Sequence, residues 1–406
     1  MCNDFNKLIM VVGGSHWQIP IVKKIKQMGY NSLVVNLFED SPAFEYADYY
    51  EVVDIINKEK CLDIAKGYQI DAVLSDQTDI AMPTVAYLAE NLQLPSLDMK
   101  SADLYSNKIS MRDFSKKNKF AYPEYKTCYS MNDLEIFSKE VTYPYIIKPL
   151  DSNSSRGVFK IDSNNELQKK FQESISYSRA KKAIVAERYI NGTEFTLDGI
   201  KCGDKHLTLA VSEKKHYNHN TNIAYELFFS SFNENYDYNK LKDENNKFIE
   251  LSNLSDGCLT HAEYKYEDGI FYLIEIGARG GGNLVSSHIV PLMSGVDNYK
   301  YLINASLGIA NKCVEVDNNL KNRCAVLYFF DTPENGGTVK EIMGLDLLRN
   351  SKNVLTYQLN FKSGDTIEKP KNDASRIGFY IAYADSKQEL LTIQKQIESN
   401  FKIIYE

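Results

Sequence analysis

Two short alternating runs, Thr260-His261-Ala262-Glu263-Tyr264-Lys265-Tyr266 and Ile270-Phe271-Tyr272-Leu273-Ile274-Glu275, flank the turn-forming residues Glu267-Asp268-Gly269. That pattern predicts a β-hairpin. Period-2 alternation sets Ala262, Tyr264 and Tyr266 on one face and Glu263 and Lys265 on the other, so strand pairing can bring Glu263 opposite Glu275. Facing carboxylates repel unless a cation lies between them, and hard oxygen ligands suit Mg²⁺ carried by a nucleotide's phosphates. An arbitrary pair of glutamates is more often two solvated surface acids. Here Gly277-Ala278-Arg279-Gly280-Gly281-Gly282-Asn283 follows at once, and an arginine with a glycine-rich turn at the end of an apolar strand favours a site.

A chain of 406 residues exceeds one core of usual size and predicts two or three packed units. Its 43% hydrophobic and 25% charged residues are those of a globular protein. The net charge of −7, with no basic stripe, counts against nucleic acid or an anionic membrane as partner and leaves small solutes. No apolar run approaches the roughly 18 to 20 residues of a spanning helix, and the polar start leads into a run too short for a signal peptide, so a soluble, cytoplasmic protein is expected. Seven cysteines without a C-x-x-C pair read as reduced thiols. Lysines beside His216 and His219 disfavour zinc there.

Residues 7–12 form an apolar strand, Gly13-Gly14-Ser15 a turn, and residues 20–29 a helix with a glycine stop. Strands at 32–37, 51–54 and 72–75, with helices at 58–68 and 80–91, complete a doubly wound α/β unit. Gly13-Gly14 lacks the spacing of a dinucleotide fingerprint. A middle region carries a helix with Lys108 and Arg112, a helix at 165–179, and strands at 183–187, 194–200 and 207–213. From residue 311 the pattern resets to strands at 325–330, 337–342, 354–361 and 378–384 and a helix at 387–400, a small α+β unit. The expected division is 1–100, 101–310 and 311–406.

Lys148 ends the run Tyr143-Pro144-Tyr145-Ile146-Ile147, and the hydroxyl-rich segment 152–157 can set backbone N–H groups, hydroxyls and Arg156 against phosphate oxygens. With two candidate Mg²⁺ ligands downstream, a triphosphate site is the better reading of this segment, although no P-loop is present. From about Lys108 to Gly308 the order of these pieces resembles the ATP-grasp superfamily, and the three-part layout resembles its carboxylate–amine ligase branch, which includes bacterial L-amino acid ligases. It is also similar to biotin carboxylase and glycinamide ribonucleotide synthetase.

The resemblance implies an ATP-grasp fold with an N-terminal doubly wound domain and a C-terminal α+β lid domain. It implies that Lys108 and Lys148 bind phosphates and that Ser154, Ser155, Arg156 and Gly157 close over them. Glu187 would accept from the adenine amino group, with Arg188 and Ile190 flanking the ring and Glu194 near the ribose and phosphates. Glu263 and Glu275 would hold Mg²⁺, or Mn²⁺ in its place, and Arg279 would stabilise the anion. The family often has Asn two residues after the second acid; this chain has Gly277, with Asn283 or water left to complete the shell.

The implied activity is an ATP-dependent carbon–nitrogen ligase acting on a small-molecule carboxylate and an amine through an acylphosphate, with Lys148 and Arg279 as catalytic residues and a homodimer as a common assembly. A carboxylating or purine-precursor synthetase and a non-catalytic ATP-binding module are the alternatives. An oxidoreductase would need the missing dinucleotide fingerprint. None of His216, His219, His261 and His288 stands out as a general base, each reading as structural.

Overall fold

The computed structural model describes residues 7–150, 156–178, 182–312, 314–333 and 335–406. Residues 151–155, and with them Ser154 and Ser155, lie outside the described residues. The first sheet is parallel throughout, in the order Tyr49–Val52, Asn31–Asn36, Leu8–Val12, Ala72–Leu74. Such a sheet needs helical crossovers, and Ile19–Gln27, Lys58–Tyr68 and Met82–Leu92 supply helices near the expected places. Strand order reverses beside Leu8–Val12, and the crevice at such a switch point is where an open α/β sheet presents its loops to a ligand. Gly13-Gly14 and Ser75 to Asp79 leave the sheet at that edge.

A small antiparallel sheet follows, in the order Tyr125–Cys128, Ile184–Arg188, Tyr145–Pro149, Phe159–Ile161. Helices Met131–Glu140 and Leu167–Ser176 bury Leu134, Phe137, Leu167 and Phe171 against it. Its register sets Ile146 opposite Glu187 and Lys148 opposite Val185, so the charged side chains of adjacent strands emerge close together.

The central sheet has eight strands: Ile270–Gly277, Leu259–Glu267, Thr193–Cys202, Lys205–Tyr217, Asn220–Phe229, Cys324–Phe329, Gly378–Ala384 and Val354–Leu359. The last three come from beyond residue 311. Phe229 pairs with Ala325 and Glu226 with Tyr328, so backbone hydrogen bonding runs without a break into the C-terminal unit. A short sheet of Thr366–Ile367, Gly337–Met343 and Lys402–Tyr405 completes that unit. One apolar cluster links Ile9 and Val34 of the first sheet with Leu259, Tyr299, Phe329 and Phe379. The three regions therefore pack as one body around the space they enclose. No helix among the described residues is long and apolar enough to cross a membrane.

Candidate active site

The hairpin forms with Glu263 directly opposite Glu275, and Asp268 and Gly269 take the left-handed backbone (φ 49° and 84°) that a tight two-residue turn requires. The two acids are neutralised by lysines of other elements. Lys214, on the strand Lys205–Tyr217, donates to Glu263 at 2.7 Å and to Glu194 at 2.6 Å. Lys108, the first residue of helix Lys108–Asn118, donates to Glu275 at 3.0 Å. Burial alone would raise the Glu263 carboxyl; Lys214 and His261 reverse this and hold it well below the usual carboxylate range. Burial likewise opposes the Lys108 ammonium, but Glu275 wins and its pKa lies above the ordinary lysine value.

Glu187, expected as the adenine acceptor, is engaged by two cations. Its side chain is buried and held by Arg112 at 2.9 Å and Lys148 at 2.7 Å. Desolvation pushes this carboxyl up, but the two cations overcome it and bring it to about 2. Each of its two carboxylate oxygens takes one of these bonds, and Glu187 still lines the cavity. Lys148, by contrast, is shifted down, because burial and the neighbouring Arg112 and Lys108 outweigh Glu187. Arg188 ties the hinge to its surroundings through Glu124 at 2.7 Å and Glu267 at 2.6 Å, while Ile190 is buried against the cavity wall. Glu187, Glu194, Glu263 and Glu275 are thus matched by Lys108, Arg112, Lys148 and Lys214, four charges of each sign.

Glu187, Glu194, Glu263, Glu275, Lys108, Lys148 and Lys214, with Arg156, line one cavity of about 660 Å³ that reaches from the small sheet to Gly13, Trp17 and Asp79 of the first unit and to Phe379 of the last, while Arg112 lies fully buried behind it. Gly157 has φ 73°, and a Cβ there would meet Tyr177 at 2.8 Å, so only glycine suits this end of the segment. His216 lies 3.3 Å from Glu194, and His219 meets the Pro370 carbonyl, which leaves neither poised for zinc. Among the described residues no cluster of three or more His, Cys, Asp or Glu side chains could hold a metal. Two facing carboxylates nevertheless fit an ion that brings its remaining oxygens on phosphates and water. Asn283 lines the same cavity.

Arg279 has a partner that the sequence did not reveal. Asp79 takes a two-pronged bond from it, Nε at 2.8 Å and Nη2 at 2.6 Å, and Nη1 donates to the Gly280 carbonyl at 3.1 Å. Three of the five guanidinium N–H groups are so committed, leaving two for an anion. The unusual Gly277 has a direct physical reason: a Cβ there would come within 2.6 Å of Asp79 Oδ1 and 3.3 Å of Arg279 Nε. The glycine makes room for a carboxylate arriving from the first unit.

Buried acids also anchor the glycine-rich turn. Asp76 accepts from Gly280 N at 2.7 Å and Tyr299 Oη at 2.7 Å, and Asp198 accepts from Gly281 N at 2.7 Å. Asp198 also lies 3.1 Å from His261 Nδ1; although burial opposes a charged imidazole, Asp198 raises His261 to about 9. His288 is bonded to Ser287 and lowered by burial.

Two family descriptions match the chain: ATP-grasp domain over residues 141–288 and L-amino acid ligase C-terminal domain 2 over residues 329–406. Residues 141–288 thus match an ATP-grasp domain. Among curated relatives, a formate-dependent phosphoribosylglycinamide formyltransferase of Prochlorococcus marinus is 25% identical over 194 residues, 47% of this chain and 50% of the relative. That of Sulfurisphaera tokodaii is 24% identical over 186 residues, 45% and 47% of the two chains. The chain spans about half the length of the curated relatives it matches.

Solved structures share the whole fold. L-amino acid ligase from Bacillus licheniformis superposes with a TM-score of 0.85 at 21% identity, covering 100% of both chains. Phosphoribosylglycinamide synthetase from Anaerococcus prevotii gives 0.75 at 19%, covering 99% and 100%. The biotin carboxylase domain dimer of Hydrogenobacter thermophilus 2-oxoglutarate carboxylase, solved with MgADP and bicarbonate, gives 0.76 at 13%, covering 98% and 91%. At these identities the likeness establishes the fold, an ATP-grasp core with α/β and α+β flanking units.

Two outcomes test this geometry. Gly277→Ala should destabilise the protein by about 1–3 kcal/mol through crowding of Asp79, and by clearly less in an Asp79→Ala background; equal losses in both backgrounds, read from denaturant midpoints, would contradict the contact. Glu187 ionises at lower pH folded (about 2) than its ordinary 4.5, so its pairing stabilises fully above about pH 4.5 and is lost as pH falls through about 2. Unfolding measured across that window should show wild type losing more stability on acidification than Glu187→Gln. Parallel curves would remove the assignment.

Proposed function

We propose that the protein is an ATP-dependent ligase that joins a small-molecule carboxylate to an amine through an acylphosphate, releasing ADP and phosphate. The observation that carries this reading is the facing pair Glu263 and Glu275 with the buried Lys108 and Lys148 and the half-buried Lys214 around one cavity. Cations already paired with carboxylates can turn to phosphate oxygens when a divalent ion takes the carboxylates over. Glu263 and Glu275 would hold Mg²⁺, or Mn²⁺ in its place, and a bound ion would neutralise the charge on the transferring phosphoryl group.

The remaining chemistry falls to the chain's own residues. Lys108, Lys148 and Arg156 hold the phosphates, with Ser154, Ser155 and Gly157 as the closing segment and the backbone around Arg188 and Ile190 as the adenine hinge. A carboxylate oxygen attacks the γ-phosphorus as the bond to ADP breaks. The amine nitrogen then attacks the acyl carbon, the bond to phosphate breaks, and the proton lost from nitrogen passes to the departing phosphate or solvent. Arg279, oriented by Asp79, offers its two remaining N–H groups to the oxygen that gains negative charge.

We assign residues 1–100 to the unit that supplies Asp79, 101–310 to the ATP-grasp core, and 311–406 to the far wall. The buried thiols of Cys61, Cys128, Cys202, Cys258 and Cys324, none in a disulfide among the described residues, support a reducing, cytoplasmic setting. The dimeric biotin carboxylase neighbour supports a homodimer. The curated relatives favour a second reading, a purine-precursor synthetase with formate as the acid.

Incubation with ATP, Mg²⁺ and a panel of carboxylates and amines, including formate with phosphoribosylglycinamide, separates the readings. Phosphate release that requires both an amino acid and an amine supports the ligase; release confined to formate supports the second reading; binding of ATP without release under any pairing defeats both. Glu275→Gln should lower turnover by at least about 100-fold with an unchanged unfolding midpoint, as expected when a phosphate-stabilising group is lost. Full activity in that variant would sink the metal assignment.

A further inference from the structure

Gln77 stands in the loop that follows the strand Ala72–Leu74, with φ at 58°, in the left-handed region that a side chain other than glycine rarely adopts. The side chain is buried, and each of its polar groups has a partner. Nε2 donates to the Trp17 carbonyl at 2.9 Å and to Tyr299 Oη at 3.0 Å, and Oε1 accepts from Leu284 N at 2.9 Å. Only an amide can do this, because a carboxylate of the same size would set a lone pair against the Trp17 carbonyl oxygen.

The bond from Leu284 falls on a second strained place. Asn283 and Leu284, with φ 53° and 65°, are successive non-glycine residues in the left-handed region, just before the π-helical turn Val285–Ile289. Such a pair persists only where its surroundings hold it. One short loop of the first unit does so at three points: Asp76 takes Gly280 N, Gln77 takes Leu284 N, and Asp79 takes the Arg279 guanidinium. Of these three side chains Gln77 is the one that also reaches Trp17, on the cavity wall of its own unit. Arg279, Gly282 and Asn283 line the same cavity, so what fixes this turn fixes what a substrate meets beside the facing acids.

Resting on the ligase reading above, we propose that Gln77 is a positioning residue for the carboxylate substrate. It locks the turn from Arg279 to Leu284 onto the backbone of Trp17, so that the guanidinium and the first unit's wall meet the substrate in one fixed relation. The nucleotide is held by other groups, Lys108, Lys148 and the hinge at Arg188. Loss of Gln77 is therefore felt in acylphosphate formation and not in nucleotide binding.

The test uses the full chain, with hydroxamate formed in the presence of hydroxylamine as the measure of acylphosphate. Gln77→Glu and Gln77→Ala should each lower kcat by roughly 10- to 100-fold, the effect of misplacing groups that face the reacting atoms, while MgADP binding read by calorimetry stays unchanged. Glycine takes a left-handed backbone without strain, so adding Leu284→Gly to Gln77→Ala should recover part of the loss. In crystals of Gln77→Glu, Asn283 and Leu284 should leave the left-handed region. Wild-type activity in Gln77→Glu, a loss matched by weaker MgADP binding, an unmoved turn, or a double variant no better than Gln77→Ala would overturn the proposal. If Gln77→Ala does not fold, Gln77→Glu decides. No hydroxamate from wild type with any carboxylate defeats the ligase reading and the proposal with it, whereas hydroxamate formed equally by wild type and Gln77→Glu defeats the role of Gln77 alone.

Discussion

Repulsion between Glu263 and Glu275, fixed face to face by strand register, sets what the surrounding residues must supply. Glu263 is the more enclosed of the two, with a side chain 28% exposed against 40% for Glu275. Lys214 and Lys108 answer the repulsion, one from a sister strand of the same sheet and one from the first turn of a helix. The same logic holds Glu187 between Arg112 and Lys148. Lys265 and His261 also reach Glu194 and Glu263, at 3.9 and 3.8 Å, so acids and cations alternate across the cavity.

The array is held by backbone geometry more than by the charged residues themselves. Asp76 and Asp198 fasten the N–H groups of Gly280 and Gly281 from two different sheets, and a Cβ at residue 280 would meet Ser286 Oγ at 2.1 Å. Asp79 then fixes Arg279, using the space that Gly277 leaves. An Asn expected at 277 and an acid supplied by Asp79 are alternatives that cannot share one volume. The C-terminal residues, hydrogen-bonded into the central sheet, close the opposite wall with Arg376 and an aromatic surface.

Much of this was legible in the sequence where a local pattern determines the outcome. The hairpin and the facing of Glu263 and Glu275 followed from alternation and a turn, and the first unit's strands and helices from apolar periodicity. The strand Asn220–Phe229 was missed because it opens on two asparagines, Asn220 and Asn222, poor strand formers that take their conformation from two flanking strands. Asp79 and Lys214 were missed for another reason: each meets its partner across a long sequence gap, 200 residues for Asp79 and Arg279, and no local spacing encodes such a meeting. Only the awkward Gly277 hinted that something occupied the place of a side chain. The pairing of Glu187 with Arg112 and Lys148 was likewise not legible, because it is a tertiary fact.

The most direct measurement is anomalous diffraction from crystals of the protein grown with Mn²⁺ and a non-hydrolysable ATP analogue. The expected result is a manganese peak bonded to both Glu263 and Glu275, with Lys214 and Lys108 turned from those acids onto phosphate oxygens. A nucleotide bound in the cavity with both lysines still on their carboxylates and no manganese between the acids would contradict the account.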